Sequence, residues 1–409
     1  MPCRKDKKMN EKHDVVVIGG GVIGTEMAYF LSEEGVDVCL VEQAGLASGT
    51  SGATASTLAL YNRMPGPEWD LAMESREVYK NAKETLGHDC DFEFVSSLML
   101  IEKEENIPWV EGRVEKQRAA GLDIEMISRE ELRKIDPYAS LDLVGAAFSH
   151  SSAWVNSMLL CNAFAEAARR NGARIYTDAR VTGIAVEGGK VKGVQTTTGN
   201  IACDIVVNAA GPQADAIGEL VGCRIPIRWN RGTLIVTQPL PYMGVRLRGE
   251  GVDHARSKAK REAYFASESG EREMDPDIKY DIHFVLTQTK SGNLLIGRSG
   301  EDHPKDRTVQ LGAVMAIVKT NVRFVPALAK ATAIRIYAGI RPYSPDLLPL
   351  LGPLDEPKGF FLACCFGDKG VGLGAGSVKH VVRSIVDSDH RIPDALRPDR
   401  FQDRQVSLT

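Results

Sequence analysis

The chain has 409 residues, of which 43% are hydrophobic and 25% charged, with a formal net charge of −4. This is the composition of a globular protein with core enough for two or three domains. The small acidic excess offers no general affinity for nucleic acid or an anionic membrane, and no apolar run approaches the length of a membrane span.

The opening stretch MPCRKDKKMNEKH is charged and lacks an apolar centre, so residues 1–11 read as a tail and not as a secretory leader. The eight cysteines stand at positions 3, 39, 90, 161, 203, 223, 364 and 365 and form no C-x-x-C pair. Several lie in apolar strand patterns, where cysteine is a small core residue. They point to a reduced, cytoplasmic protein without a metal centre.

The first organised stretch is DVVVIGGGVIGTEMAYFLSEEGVDVCLVEQ, residues 14–43. Val15 to Ile18 reads as a buried strand, the next residues to Ser32 as a helix, and Val36 to Val41 as a second strand. Between strand and helix, Gly19, Gly21 and Gly24 form G-x-G-x-x-G. Gly19 suits a tight turn, Gly21 the close approach of a pyrophosphate, and Gly24 the packing of helix on strand. The helix N-terminus adds free N–H groups for the diphosphate, and Glu42 is placed for the ribose hydroxyls of a dinucleotide. With strand, helix, second strand and acid in register, the motif is specific. It leaves NAD and FAD both open.

After Glu42 the βαβ pattern breaks. AGLASGTSGATAS (44–56) is a small-residue loop, followed by a helical stretch from Trp69 to Leu86, a strand near 94–102, and a capped helix at 128–137 closed by Pro137. The helix of 157–173, the strand-rich region from Arg174, and the buried strand of CDIVVNAAGPQAD (203–215) resume the nucleotide fold. Residues 219–335 alternate strands with turns, interrupted by a charged stretch (255–277) that reads as a solvated excursion. Near the end, GFFLACCF (359–366) is an apolar strand. It runs into the glycine-rich loop GDKGVGLGAGS (367–377) and then an amphipathic helix through Val386. Too little chain follows for a second nucleotide fold, so this loop is expected to return to the first site and complete it.

The N-terminal fingerprint, the loop after Glu42, VVNAAG, and AGIRPYSPDLLPLLGP with GFFLACCFGDKGVGLGAG together resemble the FAD-dependent D-amino-acid oxidase superfamily. PGPEWDLAMESREVYKNAKETLG and LTQTKSGNLLIG are most similar to the flavin subunits of the dye-linked proline, opine and glycine (cyanide-forming) dehydrogenases. Glycine oxidase and sarcosine oxidase belong to the same group. The resemblance covers roughly residues 12–390 and implies FAD, and with no cysteine or histidine at a position assigned to flavin attachment, the FAD is expected to be held without a covalent bond.

It also implies an α/β architecture: a discontinuous Rossmann-like FAD-binding domain (12–65, 150–218, 333–390) and an α+β substrate domain with a mixed or antiparallel sheet (66–149, 219–332). The tails are then 1–11 and 391–409. The resemblance carries cofactor contacts onto Gly19, Gly21, Val22, Ile23, Gly24, Glu42, Gln43, Gly49, Thr50, Ser51, Val181, Gly211, Gly370, Val371 and Gly372.

The implied reaction is oxidation of the C–N bond of an amino acid or secondary amine, by hydride transfer from Cα–H to flavin N5. The imine so formed hydrolyses in water. Arg341 would fork the substrate carboxylate, the alternative being a structural ion pair. His283 and Gln288 are further candidates on a strand lining the substrate side. An FAD-dependent hydroxy-acid or polyol dehydrogenase and an electron-relaying subunit of a larger assembly stand as alternatives, and a homo- or hetero-oligomer is compatible with either. Phe366, Lys369 and the Gly374-Ala375-Gly376 run depart from the family pattern beside the flavin, which leaves the electron acceptor open.

Overall fold

The computed structural model describes residues 9–252, 276–302 and 305–401. The charged stretch of 255–277 therefore lies almost wholly outside the described residues, as does Cys3.

At the centre is a six-stranded sheet in the order 350–353, 360–364, 205–208, 15–18, 38–41, 174–176. Its neighbours pair in parallel except the first two strands, which are antiparallel. Alternate residues of the central strands face opposite layers, as strand geometry requires. Val15, Val17 and Leu40 pack with the helices Val22–Glu33, Ser157–Arg170 and Gly370–Val386. Val16, Ile18, Cys39 and Val41 pack instead against a four-stranded sheet through Val191, Val194 and Ile201. Both faces are covered, which is why these strands read as unbroken apolar runs.

The helix Ser157–Arg170 starts where Asn156 accepts hydrogen bonds from the amides of Met158 (3.2 Å) and Leu159 (3.3 Å). The predicted capped helix at 128–137 spans Arg129–Ile135, with Ser128 and Glu131 closing a reciprocal capping box.

A larger mixed sheet carries the second half of the molecule, in the order 301–302, 228–239, 293–297, 285–288, 247–250, 93–101, 145–154, 57–58. One face packs on the helix Leu311–Phe324, which the sequence pattern did not disclose, with Phe284 stacked on Phe324 at 4.4 Å.

The expected boundaries need revision at three points. The strand Ala333–Tyr343, grouped with the dinucleotide segments, pairs along its length with Arg228–Pro239 and belongs to the large sheet. Residues 9–11 are no free tail: Met9–Lys12 pairs in parallel with Gly199–Ala202. Residues 391–401 are anchored too, because Ile392 and Leu396 are buried and Arg400 pairs with Asp346 at 2.8 Å.

The C-terminal glycine-rich stretch also differs from expectation. It forms the helix Gly370–Val386 and not a loop. Its glycines allow close packing. A Cβ on Gly374 would lie 2.5 Å from Glu26 Oε2, and one on Gly376 2.5 Å from the Leu71 carbonyl. Packing against the helices Val22–Glu33 and Pro67–Lys80 outweighs the poor helix propensity of glycine.

Candidate active site

The glycine turn between Ile18 and Val22 is shaped by what surrounds it. Gly19 has φ of +113°, and a Cβ there would lie 2.4 Å from the Ala209 carbonyl oxygen. A Cβ on Gly24 would lie 1.8 Å from the Gly19 carbonyl, so helix and strand approach closely only with glycine at both places. Gly21 has no side chain to cap the helix Val22–Glu33, and the Val22 amide donates to Ser51 Oγ at 3.0 Å instead. Glu42 accepts from the Gly20 and Ala44 amides at 2.6 and 2.8 Å, which fixes its carboxylate beside the turn. The loop that follows Glu42 is tied to the opposite wall, where the Thr50 hydroxyl donates to the Ile340 carbonyl at 2.6 Å.

These residues line one wall of a cavity of about 480 Å³. The strand ends at Val181, Ala209–Pro212 and Ala363–Phe366 add further walls, with Gly370 and Val371 at the start of the C-terminal helix. That helix also lacks a side-chain N-cap. Two helix N-termini, distant in sequence, therefore open on the same space, an arrangement suited to negative charge.

Of the residues singled out from sequence, Gly19, Gly21, Val22, Ile23, Glu42, Gln43, Gly49, Thr50, Ser51, Val181, Gly211, Gly370, Val371, His283 and Arg341 all line the cavity. Three do not. Gly24 lies behind the turn it makes possible. Gly372 leaves room for Arg63, whose Nη2 would be 2.6 Å from a Cβ there. Gln288 is the clear correction. Its carboxamide accepts from the Met243 amide (3.0 Å) and donates to the Pro241 carbonyl (3.0 Å), holding the loop before Gly244. On that strand Val285 and Thr287 face the cavity, and the alternation turns Gln288 the other way.

Arg341 is buried on the cavity wall. It donates to Asn230 Oδ1 at 2.6 Å and to the Ser299 carbonyl at 3.2 Å. Both acceptors are neutral, so a structural ion pair is not what holds it. A Cβ on Gly232 would lie 1.7 Å from Arg341 Nη2, so the guanidinium occupies the space glycine leaves. His283 bonds to Glu250 (2.7 Å) and Asp281 (3.3 Å). Burial works against its charged form, but those two carboxylates outweigh it and raise its pKa.

Sequence reasoning missed several groups on the same walls: Arg298, Asp368, Tyr61, Trp109 and Arg113. Burial alone would raise the Asp368 pKa. Arg298 first, then Arg341, Lys369 and Arg63, instead hold it at about 2. Asp368 is the carboxylate on which these cations converge. The one signal available was a charge directly after an apolar strand, Arg298 in NLLIGRSG.

Residues 14–384 match the FAD dependent oxidoreductase (DAO) family. The chain belongs to the DAO family of FAD-dependent oxidoreductases. Hydrogen cyanide synthase subunit HcnC of Pseudomonas aeruginosa is 27% identical, over 98% of this chain and 99% of that protein. The anaerobic glycerol-3-phosphate dehydrogenase subunit A1 of Haloferax volcanii is 32% identical over 87% of this chain, which spans 58% of that relative's length. The crystal structure of glycine oxidase from Bacillus cereus superposes with a TM-score of 0.79 at 26% identity, covering 92% of this chain and 96% of that one.

The residues present fit the family's cofactor. A glycine turn that any Cβ would obstruct, two helix N-termini whose own N-cap residues supply no side-chain bond and the fixed Glu42 carboxylate match a dinucleotide's diphosphate and ribose. Gly19–Ile23, Glu42, Gly49–Ser51 and Val181 would hold its adenosine diphosphate arm, and the start of the C-terminal helix its ring. Among the described residues no group of side chains could hold a metal ion, and no helix is long and apolar enough to cross a membrane.

Proposed function

We propose that this DAO-family enzyme oxidises the C–N bond of an amino acid or a secondary amine. One observation carries the reading: the Arg341 guanidinium faces the cavity while bonded only to neutral acceptors, leaving its charge for a substrate carboxylate. FAD, when bound, supplies the hydride acceptor.

The protein's part is positioning. Asn230 and Ser299 orient the Arg341 fork, which pins the carboxylate and so fixes where the Cα–H points. Glu250 and Asp281 hold the His283 ring on the same wall, where it orders the substrate side without itself bonding the reacting carbon. FAD is held without a covalent link. HcnC and the Haloferax protein are named as subunits of larger enzymes. Their names support association of this chain with partner subunits.

The Haloferax relative, at 32% identity, favours one second reading, in which the donor carries a hydroxyl in place of the amine. Anaerobic mixing of the FAD-loaded protein with matched amino and hydroxy acids separates the two. The proposal expects loss of the visible flavin band with amines, and bleaching by hydroxy acids alone would overturn it. Arg341→Ala is expected to raise KM on the order of 100-fold, the loss of a charge-assisted pair, with the FAD spectrum intact. An unchanged KM removes Arg341 from the site.

A further inference from the structure

A second guanidinium stands beside Arg341. Arg298 lines the cavity, and although its backbone pairs with His283, its guanidinium makes no hydrogen bond or ion pair with any other described residue. It comes immediately before Ser299, whose carbonyl accepts both Arg341 Nη atoms at 3.2 Å, so the two arginines share one corner of the wall. The Tyr61 hydroxyl lies near enough to feel the Arg298 charge, and no described group accepts from or donates to it. Gly249 makes room for that ring, since a Cβ there would lie 2.7 Å from the hydroxyl.

The neighbouring acids are already engaged. Glu250 and Asp281 bond to His283, and the field of Asp368 is divided among Arg298, Arg341, Lys369 and Arg63. The fields of Asp368, Asp281 and Glu250 more than offset the burial of the Arg298 charge, yet none of them accepts a hydrogen bond from it, so its N–H donors stand open to an anionic ligand.

Resting on the amine reading above, we propose that the substrate is an amine bearing two carboxylates, with Arg341 taking the one next to the reacting carbon and Arg298, with the Tyr61 hydroxyl, taking the other. A carboxylate suits this subsite better than a phosphate. Three acids already lie in the field of Arg298, and a dianion would meet their repulsion. A monoanion accepts the guanidinium fork and leaves the remaining charges balanced.

The test uses equilibrium binding to the full-length, FAD-loaded protein, read from the visible flavin band and from thermal shift. The probes are butyrate, glutarate, succinate and the phosphonate analogue of glutarate. A dicarboxylate is expected to bind about 10- to 100-fold more tightly than butyrate, the range of one charge-assisted hydrogen-bonded pair. In Arg298→Gln that preference is expected to collapse towards parity, and Arg298→Lys, which keeps the charge, to recover part of it.

Equal affinity for butyrate and the dicarboxylates in the unmodified protein, which needs no variant to fold, overturns the proposal. So does a preference that survives Arg298→Gln, and so does tighter binding of the phosphonate, which marks a phosphate site. The two readings fail separately. If amines do not bleach the flavin but glutarate still binds through Arg298, the amine chemistry is wrong and the second anion subsite stands. If monocarboxylic amines are oxidised and dicarboxylates have no advantage, the reverse holds.

Discussion

Asp368 shows how much of this site depends on groups remote in sequence. Its carboxylate sits among arginines from residues 63, 298 and 341 and is held at about 2. A carboxylate whose pKa is lower in the folded than in the unfolded chain stabilises the fold above its unfolded value and loses that contribution as pH falls through the folded one. For Asp368 the window runs from about pH 4 down to about pH 2. The stability advantage of the native protein over Asp368→Asn, measured by urea unfolding, is expected to shrink by about 2 kcal/mol between pH 5 and pH 2. A difference that stays constant over that range would show that another group governs acid sensitivity. Residues of this kind were illegible in the sequence because nothing in a linear pattern reports convergence. The place of Arg341 on the cavity wall was legible because it sits in a motif, and Gln288 was misplaced because a strand's neighbours face opposite ways.

At the scale of elements, the strands and helices around the glycine turn followed from periodicity, and the capping box at Ser128 from its residue types. The glycine-rich first turns of the C-terminal helix, Gly370 to Ser377, did not, because local propensity argued against them, whereas its continuation to Val386 was read as helix. Its glycines at 374 and 376 are what permit close approach to the helices Val22–Glu33 and Pro67–Lys80. The Gly376 amide even reaches Ser75 Oγ at 3.0 Å. In an exposed helix Gly→Ala is stabilising by about 1 kcal/mol. Here the sign reverses, because the new Cβ would meet backbone at 2.5 Å. Gly376→Ala is expected to cost about 1–3 kcal/mol, the usual range for overpacking, seen as a lower urea midpoint with unchanged slope. A stabilised variant would mean that the helices are less tightly apposed than described.

For the molecule as a whole, the strands of the central sheet were readable from sequence, but the placement of Ala333–Tyr343 was not. That strand carries Arg341 on the large sheet while its Ile340 carbonyl anchors the Thr50 loop. A single strand thereby joins the two halves, and a boundary drawn by residue number divides what hydrogen bonds unite. FAD bound across such a junction stabilises the whole fold by mass action, by about 2.7 kcal/mol at a hundredfold excess over Kd. If, as proposed, FAD is held without a covalent link, acid precipitation leaves the yellow colour in the supernatant and the pellet white. A yellow pellet would establish a covalent flavin.

The walls of the cavity also set a schedule. Gly19 and Val371 face the same space yet lie roughly 350 residues apart in the chain. At ribosomal speeds of about 5–20 residues per second, that separation is some twenty to seventy seconds of synthesis. Throughout that interval the early turn waits beside a sheet whose strand 360–364 has not been made. Flavin capture is therefore among the last events in the making of this protein, and a nascent chain halted before that strand would be a colourless one.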